Sequence, residues 1–234
     1  MNLKSLSITL ISLAFLTGCQ GNGVKSFWDT HSICMEDIDE EQDQFASFAE
    51  LAAAAPEDVA FAEMDALFDL LKKDEVYYYV YSEWMNGAFY NIYSPCRNAA
   101  LYNKAVERIV ADGILSPSEY EFFVKKGEWI RYNLEGHQAT VPGVSLHGER
   151  TLVLVLDQGC PSCREALTSM AENAKWAACR KVAVCCGHGP IPTVPGWEYA
   201  APDNARAVFD PRMTPVYFVV SEDGTVETTY TLAI

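Results

Sequence analysis

The sequence predicts two folded parts in series, an all-helical region over residues 39–135 and an α/β region over residues 136–234. Three observations carry this prediction. Val59, Phe61, Met64, Leu67, Phe68 and Leu71 recur at the spacing of one helix face. Residues 151–156, Thr-Leu-Val-Leu-Val-Leu, form a continuous apolar run of the kind that makes a strand buried on both sides. Helical spacing at Ala166, Leu167, Met170 and Ala174 then leads into a second apolar run over residues 181–186, which completes a strand-helix-strand unit. With 234 residues, half of them hydrophobic, the chain is long enough to bury ordinary cores in both parts.

Residues 1–18 read as an export leader rather than as fold. Lys4 supplies a short basic start, and residues 6–16 form an apolar stretch too short to span a bilayer. The stretch ends in Leu16-Thr17-Gly18-Cys19, which resembles a bacterial lipobox. That resemblance implies removal of residues 1–18 and lipidation of Cys19 with diacylglycerol and palmitate. Residues 19–38 would then be a lipid-anchored tether, and the rest of the chain would lie outside the cytoplasm. No acidic cluster follows Cys19 of the kind seen in surface-exported lipoproteins, which favours the periplasmic side. An ordinary secreted protein with a cysteine here by chance is the bland alternative.

The net charge is -15, from 32 acidic and 17 basic residues, and no run of Lys or Arg offers a surface for a phosphate backbone. A nucleic-acid partner is therefore not expected. Residues 20–143 hold 22 of the acids and 9 of the bases, so the acidity belongs to the helical part, where it is ordinarily a solvated surface.

Within that part, residues 39–54 are acidic and then alanine-rich. Pro56 suits the first position of a helix running to Leu71. Further helices are expected over residues 75–86 and 97–111, and another from the capping box Ser116-Pro117-Ser118-Glu119. Tyr77, Tyr78, Tyr79, Tyr81, Trp84, Phe89, Tyr90 and Tyr93 crowd the middle of this region. Helix packing is the usual use of such rings, and a sugar or peptide platform is the alternative. In the α/β part, a loop of prolines and glycines follows the strand at 181–186. A strand at 216–220 then turns through Glu222-Asp223-Gly224 into an antiparallel strand at 225–231.

Chemistry concentrates at Cys160-Pro161-Ser162-Cys163, where the first buried strand ends and a helix begins. The unpaired amides and positive dipole end of a helix N-terminus lower a thiol pKa there. Cys160 can then attack a disulfide, and Cys163, one helical turn further in, can release the product by attacking Cys160. Zinc ribbons share the C-x-x-C spacing, but no second C-x-x-C follows.

Together with Met213-Thr214-Pro215-Val216-Tyr217-Phe218 and the Asp223-Gly224 turn, this motif resembles thioredoxin-like lipoproteins of the TlpA type. The resemblance implies a thioredoxin-like domain over residues 136–234, with Pro215 cis and facing the cysteine pair. Thr214, Pro161 and Ser162 would line the substrate site, and the backbone of Thr214 would pair with an extended substrate. No cofactor is implied beyond a redox-active Cys160/Cys163 disulfide, and the partners would be thiols or disulfides of exported proteins. Tyr93-Ser94-Pro95-Cys96-Arg97-Asn98 with Leu101-Tyr102 resembles the helical domain of unknown function that precedes such domains in lipoproteins of Bacteroides-type bacteria.

The chain departs from that pattern in three places. Gly159 stands where relatives carry Trp, and Leu154 where they carry a buried carboxylate. Asp157 and Glu165 flank the motif and are read as capping or solvated residues. The sequence also ends after the last strand without a closing helix, so the helical part is expected to cover that face.

Seven cysteines besides Cys19 leave an odd thiol. Cys185-Cys186-Gly187-His188 follows the second strand and reads most simply as one core thiol plus loop residues. Alternatives are a third exchanging thiol, or a Cu(I) or Zn site shared by Cys160, Cys163, Cys185 or Cys186 and His188. Cys179 reads as a buried helix-end thiol, and Cys34 and Cys96 could pair only if the tether folds back. The expected function is a membrane-tethered thiol-disulfide oxidoreductase. The alternatives are a copper or zinc delivery protein and a redox-inactive, envelope-binding lipoprotein.

Overall fold

The computed structural model describes residues 23–34, 36–157, 159–187 and 193–232. The expected leader, Cys19 and His188 lie outside the described residues. Among the described residues no helix is long and apolar enough to cross a membrane.

The first part is helical: α1 Phe27–Thr30, α2 Ile38–Ala54, α3 Glu57–Leu71, α4 Glu75–Met85, α5 Ala99–Asp112 and α6 Pro117–Ile130. Side chains start most of them. Asp74 accepts from the amides of Val76 and Tyr77, Asn98 from those of Ala100 and Leu101, and Ser116 and Glu119 close the expected capping box. Pro56 sits at the N-cap of α3, one residue before the first helical position expected for it. Helix α4 does not stop at residue 86 but runs into a π-helical turn over Asn86–Tyr90, which carries Phe89 and Tyr90 into the core.

Helix α2 covers the segment that in the sequence shows only an acidic and then alanine-rich composition. Phe45, Phe48, Ala49 and Ala52 form its buried stripe, and Asp37 caps it ahead of an acidic first turn that suits the helix dipole. The expected tether also differs. From Val24 onward it is packed, with Val24, Phe27 and Trp28 buried in the helical core. The Glu63 carboxylate accepts from the amides of Ser26 and Phe27. Three apolar residues in a polar stretch are too few to show a period, so this docking left no pattern to read. Tyr78, Tyr81, Phe89 and Tyr90 are buried, whereas Tyr79 and Tyr93 are exposed.

The second part is a five-stranded sheet in the order β3-β2-β1-β4-β5, formed by β1 Thr151–Leu156, β2 Arg180–Cys185, β3 Glu198–Ala200, β4 Val216–Val220 and β5 Val226–Leu232. Strand β1 pairs in parallel with β2 and antiparallel with β4. Strand β3, expected to be loop, extends the sheet beside β2; three residues are too short a run to announce themselves. At the β4–β5 turn Gly224 has φ +87°, and a Cβ there would come within 2.5 Å of the His147 ring, so glycine is required twice over.

All six residues of β1 are buried, because both faces of the sheet are covered. Leu152, Leu154 and Leu156 pack under helix α7, Pro161–Glu172, against Ala166, Leu167 and Met170. Val153 and Val155 pack on the other face with Phe218 and with Val208 of the short helix α8, Ala205–Val208. Ile92 and Tyr132 of the helical part also lie against that second face.

Candidate active site

Cys160 is the N-cap of α7, with Pro161 at the first helical position, where its missing amide costs nothing. Its thiol is half-buried, 3.2 Å from the Ser162 hydroxyl. Cys163, one turn further in, is buried. Gly159 just ahead has φ +74°, a left-handed conformation that glycine adopts freely.

The two thiols are pushed in opposite directions. Burial works against a thiolate at Cys160, but hydrogen bonds from the Cys163 thiol, the Ser162 hydroxyl and the backbone amides of both residues outweigh it. Together they bring the Cys160 pKa below the usual 9.0. Burial pushes Cys163 well above that value, and the neighbouring Cys160 sulfur adds to the shift. The Asp157 amide and the Thr214 hydroxyl pull the other way without reversing it.

Strand register brings the second motif to the same edge. Val155 pairs with Val216, and extending this antiparallel register by one residue sets Pro215 beside Leu156, where β1 ends and the cysteine loop begins. The Thr214–Pro215 bond is cis. Ahead of it, the 3-10 turn Pro211–Met213 is closed by the Thr214 hydroxyl, which donates to the Pro211 carbonyl at 2.9 Å. Cys160, Ser162, Cys163 and Thr214 thus form one cluster.

The other candidates among the described residues lie on several elements. Cys185 pairs with Leu156 in register, and Cys186 follows it on the opposite face, in the core that holds Val153 and Phe218. Burial pushes the Cys186 thiol up to about 12, so it stays protonated and inert near neutral pH. Among the described residues no three His, Cys, Asp or Glu side chains are placed to hold a metal ion, and His188 lies outside them. Cys179 is buried beside Arg150, Cys34 is exposed and Cys96 is buried, each as a thiol. Glu165 is exposed on α7, as a solvated residue would be. Asp157 does not cap α7: its amide faces Cys163, one carboxylate oxygen is buried without a hydrogen bond, and Arg206 stands 3.8 Å away.

Sequence reasoning missed the groups that hold this edge from the helical side. Trp129 donates to the Arg206 carbonyl at 2.8 Å, and Arg206 donates to the Cys186 carbonyl at 2.6 Å. Tyr90 donates to Asp210 at 2.8 Å across 120 residues of sequence, a separation no local pattern encodes.

No protein-family model matches the chain, and no curated protein does. Among solved structures, a thioredoxin-like protein from Bacteroides caccae superposes on 99% of this chain and 96% of its own, with a TM-score of 0.70 and 14% identity. The likeness takes in the helical part as well as the sheet. The chain therefore has a thioredoxin-like fold, a helical N-terminal region followed by a C-terminal thioredoxin-like domain.

Proposed function

We propose that this protein is a TlpA-type, membrane-tethered thiol-disulfide oxidoreductase acting on exported proteins, with Cys160 as nucleophile, Cys163 as resolving thiol and Pro215 shaping the substrate groove. One observation supports the reading above the rest: a half-buried thiol at a helix N-cap, with its pKa lowered, stands one turn from a buried thiol whose pKa is raised. A nucleophile needs the first environment, and a resolving thiol held in reserve as its proton-bearing form needs the second.

The chemistry balances with the two thiols alone. The Cys160 thiolate attacks one sulfur of a substrate disulfide, forming a mixed disulfide and expelling the other sulfur as thiolate. Cys163 loses its proton to solvent and attacks the Cys160 sulfur, and the second substrate thiolate leaves. The substrate is reduced by two electrons and the pair is oxidised to a disulfide, which a dithiol of the cell envelope would reduce again. By resemblance the direction is reduction, and the reduction potential decides it.

The test is the pH dependence of alkylation on the full chain. Cys160 is expected to react with a midpoint below that of a free cysteine, about 8.5, so its rate persists as pH falls while Cys163 stays protected. A Cys160 profile indistinguishable from free cysteine, with no exchange against glutathione, sinks the reading.

The tether is a separate part of the proposal, supported by the resemblance of residues 16–19 to a lipobox. Labelled palmitate fed to cells is expected to enter the protein and to be lost in Cys19→Ala. Equal labelling of that variant would remove the lipid anchor from the account.

A further inference from the structure

The loop that carries Thr214 and Pro215 is held by the helical region as well as by its own domain. Asp210 is buried and closes the turn Pro211–Met213 by accepting from the Arg212 amide at 3.0 Å. It also accepts from Arg212 Nε and Nη2, each at 2.8 Å. Its Oδ2 takes one more bond, from the hydroxyl of Tyr90 in the π-helical turn after α4, at 2.8 Å. The Arg212 guanidinium in turn lies 4.0 Å over the Phe122 ring and 5.3 Å from that of Trp129, both on α6. Met213 packs against both cores, and the next residue is Thr214, near Cys163 and with its hydroxyl donated to the Pro211 carbonyl.

Asp210 is already satisfied by Arg212 and a backbone amide, and the Tyr90 ring is packed beside Tyr102 at 5.1 Å, where a phenylalanine would fit equally well. Removing the Tyr90 hydroxyl thus leaves the Asp210 carboxylate still partnered by Arg212 and a backbone amide. What the hydroxyl adds is a fixed point outside the thioredoxin-like domain for the carboxylate that shapes the turn before Thr214.

We infer that Tyr90 is a positioning residue for disulfide exchange: through Asp210 and the turn Pro211–Met213 it fixes Thr214 and Pro215 beside the cysteine pair, so the helical region sets how well an extended peptide disulfide is held. The inference rests on the oxidoreductase reading. It assigns the helical region a part in selecting protein disulfides over small ones, because a small disulfide needs only the Cys160 thiolate, whereas a peptide must also lie along the loop.

The experiment compares Tyr90→Phe with the unaltered full chain on two substrates, a disulfide-bonded peptide and dipyridyl disulfide. In the variant, KM for the peptide is expected to rise about tenfold with kcat within about twofold, because a loop no longer fixed in the free protein must be ordered when the peptide binds. The rate with dipyridyl disulfide and the pH profile of Cys160 alkylation are expected to stay unchanged. Amide exchange at Arg212, Met213 and Thr214 should quicken while that of α7 does not. An unchanged peptide KM overturns the inference, since the bond would then be packing alone. Equal losses on both substrates with faster exchange throughout α7 overturn it as well, by making Tyr90 a general structural support. If the unaltered chain reacts with neither disulfide, the oxidoreductase reading itself fails and takes this inference with it.

Discussion

Cys163→Ser is expected to turn the protein into a trap. Cys160 keeps its place at the N-cap of α7, with the Ser162 hydroxyl and the backbone amides still on its sulfur, and serine at 163 can still donate a hydrogen bond. The first attack therefore proceeds, and no thiol remains to release the product. Turnover of a peptide disulfide should fall by about three orders of magnitude or more, as when one member of a catalytic unit is removed. Oxidised glutathione should leave one glutathione on Cys160, visible by mass spectrometry and removed by dithiothreitol. Cys160→Ser should lose turnover to the same degree and trap nothing, because the thiol left at Cys163 is buried and held protonated. Glutathione found on Cys185 instead, or normal turnover in Cys163→Ser, would hand the resolving role to another thiol and overturn the assignment.

Phe218→Ala is expected to cost about 3–5 kcal/mol of stability. Phe218 is fully buried at the middle of β4, opposite Val153 in the register. Its ring centroid lies 5.5 Å from that of Tyr230 and 6.3 Å from that of Phe209. Truncation leaves a cavity between the sheet and the covering layer of α8 and Phe209, a wall set by strand pairing that cannot collapse freely. Urea unfolding should show a lower midpoint at an unchanged slope. Tyr93→Ala makes the control: its side chain is 68% exposed, and its loss should stay within about 0.5 kcal/mol. A loss below about 1 kcal/mol at Phe218 would mean that its ring is not packed in this core. Strand β4 opens directly after Pro215, so its placement bears on the site as well as on stability.

Much of the fold was legible because its signals are local. The apolar run at residues 151–156, the strand-helix-strand order, the capping box at Ser116 and the Asp223-Gly224 turn each declare themselves within a few residues, the range over which backbone preferences and caps act. What escaped was short or diluted. Strand β3 is three residues long, helix α2 hides its stripe of Phe45, Phe48, Ala49 and Ala52 among acids and alanines, and Val24, Phe27 and Trp28 dock without any period. Glu63, which anchors that docking, looks in the sequence like any other acid on an acidic helix.

The candidate site divides along the same line. The sequence by itself determined that Cys160 and Cys163 stand at the end of a buried strand and the start of a helix, because four adjacent residues and their flanking patterns decide it. Only the tertiary structure decided what meets them. It brings Thr214 to the Cys163 thiol, turns Cys186 into the opposite core, leaves one Asp157 oxygen without a hydrogen bond, and ties Asp210 to Tyr90 across 120 residues. Such contacts follow from strand register and from how two layers pack, and they leave no period or spacing in the chain, because the residues on either side of each contact are chosen by different local surroundings.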